Sequence, residues 1–213
     1  VLRNVSAGAL QDREDAWGNL DGRLDLVGFR YERLGGLQGE ASGTLAGRPV
    51  EWLKAWLGKQ TNPENAYLPQ PFQQLAESLR QHGFPEKANA VMIAAINHRR
   101  DAATTPLTTR ALLWGGWATI GYGYENWRSL IWLTALVAFG TWAAGRGKGV
   151  LGRATLGQRF WYSVDQLIPL LELNRRHKSF NPTGWVRGYF YLHHIFGFIL
   201  ASLLVAGLTG LTR

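Results

Sequence analysis

The chain has 213 residues, a formal net charge of +8, 10 Trp, 7 Tyr and no Cys. The lack of Cys excludes a disulfide framework and thiolate chemistry, and the length allows one or two domains. The charge does not require nucleic acid, because basic residues beside apolar segments attract anionic lipid instead.

A mean hydropathy of −0.13 averages a polar first half with an apolar second half. The chain opens on Val1 in the middle of what reads as a repeat, so it is expected to be the C-terminal part of a longer protein. Over 1–47, Leu24, Leu26, Phe29 and Tyr31 alternate with polar residues on either side of Gly28. That is strand periodicity with a tight corner. It suggests the end of a β-solenoid followed by a Gly-rich linker, or else an ordinary hairpin capping a helical domain.

The region 48–110 reads as a soluble helical connector. Val50, Leu53, Ala55, Trp56 and Leu57 mark a short helix that ends near Gly58 and Pro63. Phe72, Leu75, Ala76 and Leu79 then fall on one helical face, ending at Gly83. Pro85 opens a second helix with Ala88, Val91, Met92 and Ala95 on one side. The pair looks like one unit of a tetratricopeptide-like array, and a single unit suits a connector better than a peptide groove. Thr104 to Arg110 reads as a linker.

The region 111–213 reads as a membrane domain. Residues 111–125 are apolar, aromatic and Gly-rich, which suggests an interfacial or re-entrant segment. A first spanning helix is expected over 126–144, a re-entrant loop over 157–173 and a second spanning helix over 189–211. The last contains no Asp, Glu, Lys or Arg. At 1.5 Å per residue it crosses a hydrocarbon core of about 30 Å.

Thr119, Ile120, Gly121, Tyr122 and Gly123 match the T-x-G-Y-G pattern of a potassium-channel filter, in which backbone carbonyls replace the hydration shell. Their position, ahead of the first spanning helix, favours a Gly-rich interfacial turn. The loop between the spanning helices is the better candidate for conduction. In it Asp165, Gln166, Pro169 and Glu172 follow a short aromatic helix. Such a segment enters the bilayer only if protein surrounds it or water wets it. Four copies around one axis would set Glu172 in an acidic ring favouring cations, with Asp165 and Gln166 at the mouth; the alternative is an amphipathic helix lying flat outside the membrane.

Basic residues crowd the same loop, among them Arg153, Arg159, Arg175, Arg176 and Lys178. The positive-inside rule sends that loop to the cytoplasm, whereas a pore loop faces outward. The large soluble N-terminal region favours cytoplasmic termini.

His193 and His194 open the second helix. Adjacent residues point about 100° apart, so they do not chelate one metal; an interfacial reading competes with a proton-sensing or metal role. Gly197, Ala201 and Gly207 place small residues along that helix, which favours close packing, oligomers or a gating bend.

Residues 67–76, 121–128, 162–169 and 197–213 resemble a group of uncharacterised bacterial membrane proteins, in which a solenoid-like repeat region precedes two C-terminal membrane helices. Some of these carry the label of membrane-associated oxidoreductase, but no residue here supports redox chemistry. The final segment is also similar to the two-helix ion-channel module of certain pentapeptide-repeat proteins. It departs from them at the filter, where Ile168 to Glu172 replaces the usual Gly-rich loop.

The expectation is therefore a mostly α membrane protein with two transmembrane helices and a re-entrant loop. It would be a multi-pass protein of the bacterial inner membrane and a channel-like homo-oligomer, gated or informed by its soluble part. Its partners would be lipid, ions and further copies of itself. A membrane-anchored scaffold without conduction is the alternative, and an oxidoreductase the remote one. No catalytic motif, metal-ligand spacing or cofactor fingerprint is present.

Overall fold

A computed structural model describes residues 2–12, 14–17, 24–35, 45–60, 67–147, 150–167 and 183–209. The chain divides into two compact units, Val1–Trp114 and Gly115–Arg213.

In the first unit, strand β1 (Ser6–Leu10) pairs in parallel with β2 (Arg30–Leu34), Ser6 opposite Arg30 and Leu10 opposite Leu34. Three helices follow: α1 (Val50–Gly58), α2 (Pro69–Gln81) and α3 (Pro85–Asp101). Pro at the first position of α2 and α3 fits the helix start, where the missing N–H leaves no bond unmade. The turn between α2 and α3 needs a left-handed residue, and Gly83 supplies it at φ 82°.

The core joins Leu24, Leu26, Phe29 and Tyr31 of the sheet region to Leu53, Trp56 and Leu57 of α1, and to Phe72, Leu75, Leu79 and Val91 of α2 and α3. These are the apolar positions that the periodicities mark. The β-solenoid end expected over 1–47 is not seen: among the described residues the sheet has two strands. Side chains of α2 satisfy the free side of β2 instead. Gln70 accepts the Gly28 N–H and donates to Phe29 O, and Gln74 donates to Tyr31 O. A helix thus covers the edge that a next rung would have used.

Two buried charges brace this unit. Arg48 forks onto Asp12 at 3.0 and 3.2 Å and lies over the Trp52 ring at 4.0 Å. Both side chains of the pair are buried, and Trp17 Nε1 also donates to Asp12.

Helix α4 (Leu107–Ile120) contains the boundary between the units. Residues 107–110 of the expected linker and 111–120 of the expected interfacial segment therefore form one continuous helix, despite Gly115 and Gly116, each of which costs about 1 kcal/mol of helix propensity.

The second unit packs α5 (Arg128–Arg146), the short α6 (Val150–Arg153), α7 (Leu156–Asp165) and α8 (Trp185–Leu208), with α7 and α8 both against α5. Among the described residues one helix is long and apolar enough to cross a membrane, over Trp185–Gly207. The first of the two expected spanning helices, over 126–144, does not meet that standard. It forms as α5, but Arg128 and Arg146 leave an uncharged stretch of only about 25 Å, diluted by Ser, Thr, Gly and Trp.

Candidate functional site: the polar centre of the α5–α7–α8 bundle

The second unit is patterned inside out. The buried residues of α5 are Ser129, Gly140, Ala143 and Ala144, while Leu130, Ile131, Trp132, Phe139 and Trp142 are exposed. On α8 the buried stripe is Val186, Phe190, His193, Gly197 and Leu200, at alternating spacings of four and three. Tyr191, Leu192, Ile195, Phe196, Phe198, Ile199 and Val205 face outward. A water-soluble bundle places its large apolar groups inside. This one has a small apolar cluster of Leu151, Tyr162, Val186 and Phe190, packs α5 through small residues, and leaves many of its large apolar groups outside, a pattern that helices packed in lipid share.

The polar centre starts from α7. Thr155 and Gln158 form a reciprocal capping box at its N-terminus, fixing where the helix begins and so where its last carbonyls lie. Tyr162 O and Val164 O accept from the Gln166 and Leu167 N–H groups, and a helix end leaves further carbonyls in need of a partner. His193 is fully buried and brings Nε2 to Ser163 O at 3.0 Å; His194 brings Nδ1 to Gln166 O at 3.1 Å. Two adjacent histidines of α8, pointing apart, therefore cap the C-terminal end of α7.

The other nitrogen of His193 lies 2.9 Å from the Tyr189 hydroxyl, which lies 3.2 Å from Leu136 O on α5. Ser163 donates its hydroxyl to Val137 O, also on α5. Gly140 makes room for the assembly, because a Cβ there would sit 3.1 Å from His193 Cε1 and press on the Ser163 hydroxyl. Tyr162 packs edge-on against Phe190 at 4.9 Å and closes one side. Ser163, His193, Tyr189 and the carbonyls of Leu136 and Val137 thus meet from three helices.

The residues singled out in the sequence fall in different places. Asp165 ends α7 and Gln166 is its C-cap, offering its carbonyl to His194. Glu172 lies outside the described residues. Gly197 accepts close approach of the chain at Leu167, whose carbonyl oxygen would lie 2.8 Å from a Cβ. Gly207 is packed against the Asn126 side chain, and Ala201 is half-buried on α8. Two of the three small residues therefore serve contacts within one chain.

The filter-like pentad is a corner joining α4 to α5. Gly121, Tyr122 and Gly123 all have positive φ, at 53°, 60° and 89°. Arg128 pairs with Glu125 at 2.6 Å and donates to Trp117 O, while Trp132 Nε1 donates to Ala118 O. The corner is tied by side chains to the end of α4, so its glycines serve the turn.

Sequence reasoning missed Ser163, Tyr189 and Gly140. The signal was the four-and-three stripe of α8, which puts His193 in line with Gly197 and so on the packed face. Among the described residues no group of three His, Cys, Asp or Glu is placed to hold a metal. Comparison with protein-family models, with curated proteins and with solved structures finds no match to this chain.

Proposed function

We propose that this protein is an integral membrane protein whose second unit seats in a lipid bilayer through the outer faces of α5 and α8, and whose first unit is a soluble body carried on that anchor. The observation that supports it is the inside-out patterning. Only 28% of the apolar stretch of α8 is buried, less than the core helix of a water-soluble protein would bury. In this reading α5 accompanies α8 in the membrane although it is short, its terminal arginines snorkelling to the headgroups. Arg146 already lies over the Trp142 ring at 4.5 Å, which suits an interfacial pair. The test is flotation with liposomes after an alkaline carbonate wash. Recovery with lipid is expected; recovery of folded, monodisperse protein in buffer without detergent overturns the proposal.

A channel-like homo-oligomer is the second reading, favoured by the order long helix, short helix, long helix, with α7 packed on α5 and ending at Asp165 and Gln166. Planar-bilayer recording decides it. Cation-selective currents altered by Asp165→Asn or Glu172→Gln support conduction, and the lack of any current in a protein that inserts leaves the anchor with its soluble cargo.

A further inference from the structure

The His193 cluster is one proton short. Its hydrogen-bonded chain begins at the Ser163 carbonyl, runs through both ring nitrogens of His193 and the Tyr189 hydroxyl, and ends at the Leu136 carbonyl. Both ends only accept, so the three contacts need three protons. A neutral imidazole and a tyrosine hydroxyl supply two. With Nε2–H given to Ser163 O, the single Tyr189 proton goes either to Nδ1 or to Leu136 O.

His82, in the first unit, shows the contrast. Its Nδ1–H is donated to Ser78 O while Nε2 accepts the Leu34 amide, so one ring proton fills both contacts.

We propose that His193 and Tyr189 form a binding site for one additional proton, whose uptake latches α5, α7 and α8 together. In the filled state Nε2–H donates to Ser163 O, Nδ1–H donates to Tyr189 Oη, and the hydroxyl donates to Leu136 O. Each bond joins α8 to another helix or holds the group that does. The location favours the cation, because Ser163 O belongs to the last turn of α7, where the helix dipole is negative. Burial opposes it. The ionisable groups on the packed elements are Arg159, Tyr162 and Asp165 of α7 and Arg187, Tyr189, Tyr191 and His194 of α8; α5 carries Arg128 and Arg146 at its two ends, and Arg159, one turn before Ser163, reaches α5 at Gly145 and donates to Gly152 O. A charged His194 beside it opposes a positive ring, as does the Arg159 cation one turn away on α7. The inference stands on the geometry inside the bundle and holds whether or not the outer faces meet lipid.

The experiment is a histidine side-chain nitrogen NMR titration of the whole protein in detergent micelles, from pH 8.5 to 4.5, with His193 assigned by loss of its signals in His193→Gln. Wild type is expected to pass from one protonated nitrogen to two, both showing hydrogen-bonded shifts. Tyr189→Phe, which keeps the ring but removes the acceptor for Nδ1–H, is expected to lower the His193 midpoint by about one pH unit or more, roughly tenfold in proton affinity. The His194 midpoint is expected to move far less. A His193 that keeps one tautomer across the range overturns the proposal, as does a Tyr189→Phe midpoint that stays in place. If Tyr189→Phe does not fold, the wild-type titration alone decides, through the presence or absence of the second ring proton.

Discussion

Gly140 and Tyr31 show how single atoms set the stability of each unit. At Gly140 the missing Cβ is what lets Ser163 and His193 meet α5, so Gly140→Ala forces the ring or the hydroxyl away. The expected loss is about 1–3 kcal/mol, as for other overpacked sites, read as a lower thermal midpoint in detergent, while Gly188→Ala, in open space on α8, has little effect. At Tyr31 the hydroxyl is buried without a hydrogen bond among the described residues, and burial pushes its pKa up. Above pH 10 the unfolded chain loses this proton while the folded one keeps it. The folded state then binds more protons, so stability falls as pH rises, by about 1.4 kcal/mol per pH unit at the steepest. Tyr31→Phe is expected to be near neutral at pH 8 and to flatten the decline between pH 10 and 11, measured by urea unfolding. Arg48→Met strands the buried Asp12 carboxylate and is expected to cost about 3–5 kcal/mol, seen in the same urea titration.

At the scale of elements, two helices do work that their own sequences only partly announce. Helix α2 reads as an amphipathic helix, and it is one; its Gln70 and Gln74, four residues apart on its polar side, also satisfy the backbone of β2. Nothing in the local pattern distinguishes these glutamines from solvated ones. Helix α7 reads as a short aromatic helix ahead of an acidic loop. Its place depends on the Thr155–Gln158 capping box, legible as T-x-x-Q, and on the two histidines at its far end, which are not legible because they lie about thirty residues later. Thr155→Ala is expected to remove about 1 kcal/mol and to speed hydrogen exchange in α7 before that in α5. The filter-like pentad teaches the same lesson in reverse: a match of letters is not a match of fold, because its positive-φ residues are spent on a corner.

For the whole molecule, the two units follow opposite rules of patterning, and that contrast can be tested directly. Ile199→Lys puts a charge on the exposed face of α8, where a water-soluble protein tolerates it at little cost. In a bilayer it costs about 2.5–3.5 kcal/mol per residue near the helix centre, so recovery with liposomes is expected to drop while the His193 hydrogen bonds persist. The sequence by itself determined the helices α1, α2, α3 and α8, the core face of the first unit, the lack of thiolate chemistry and the apolar character of the last helix. Each of these follows from short-range periodicity or composition, which one strand or one helix carries alone. Only the tertiary structure decided that two strands pair in parallel with a helix over their edge, and that the small residues of α8 meet Leu167 and Asn126 of the same chain. It alone gathered Ser163, Tyr189 and His193 around one proton-deficient chain. Those outcomes depend on which distant backbone groups are left needing a partner, and that demand exists only once the helices are packed.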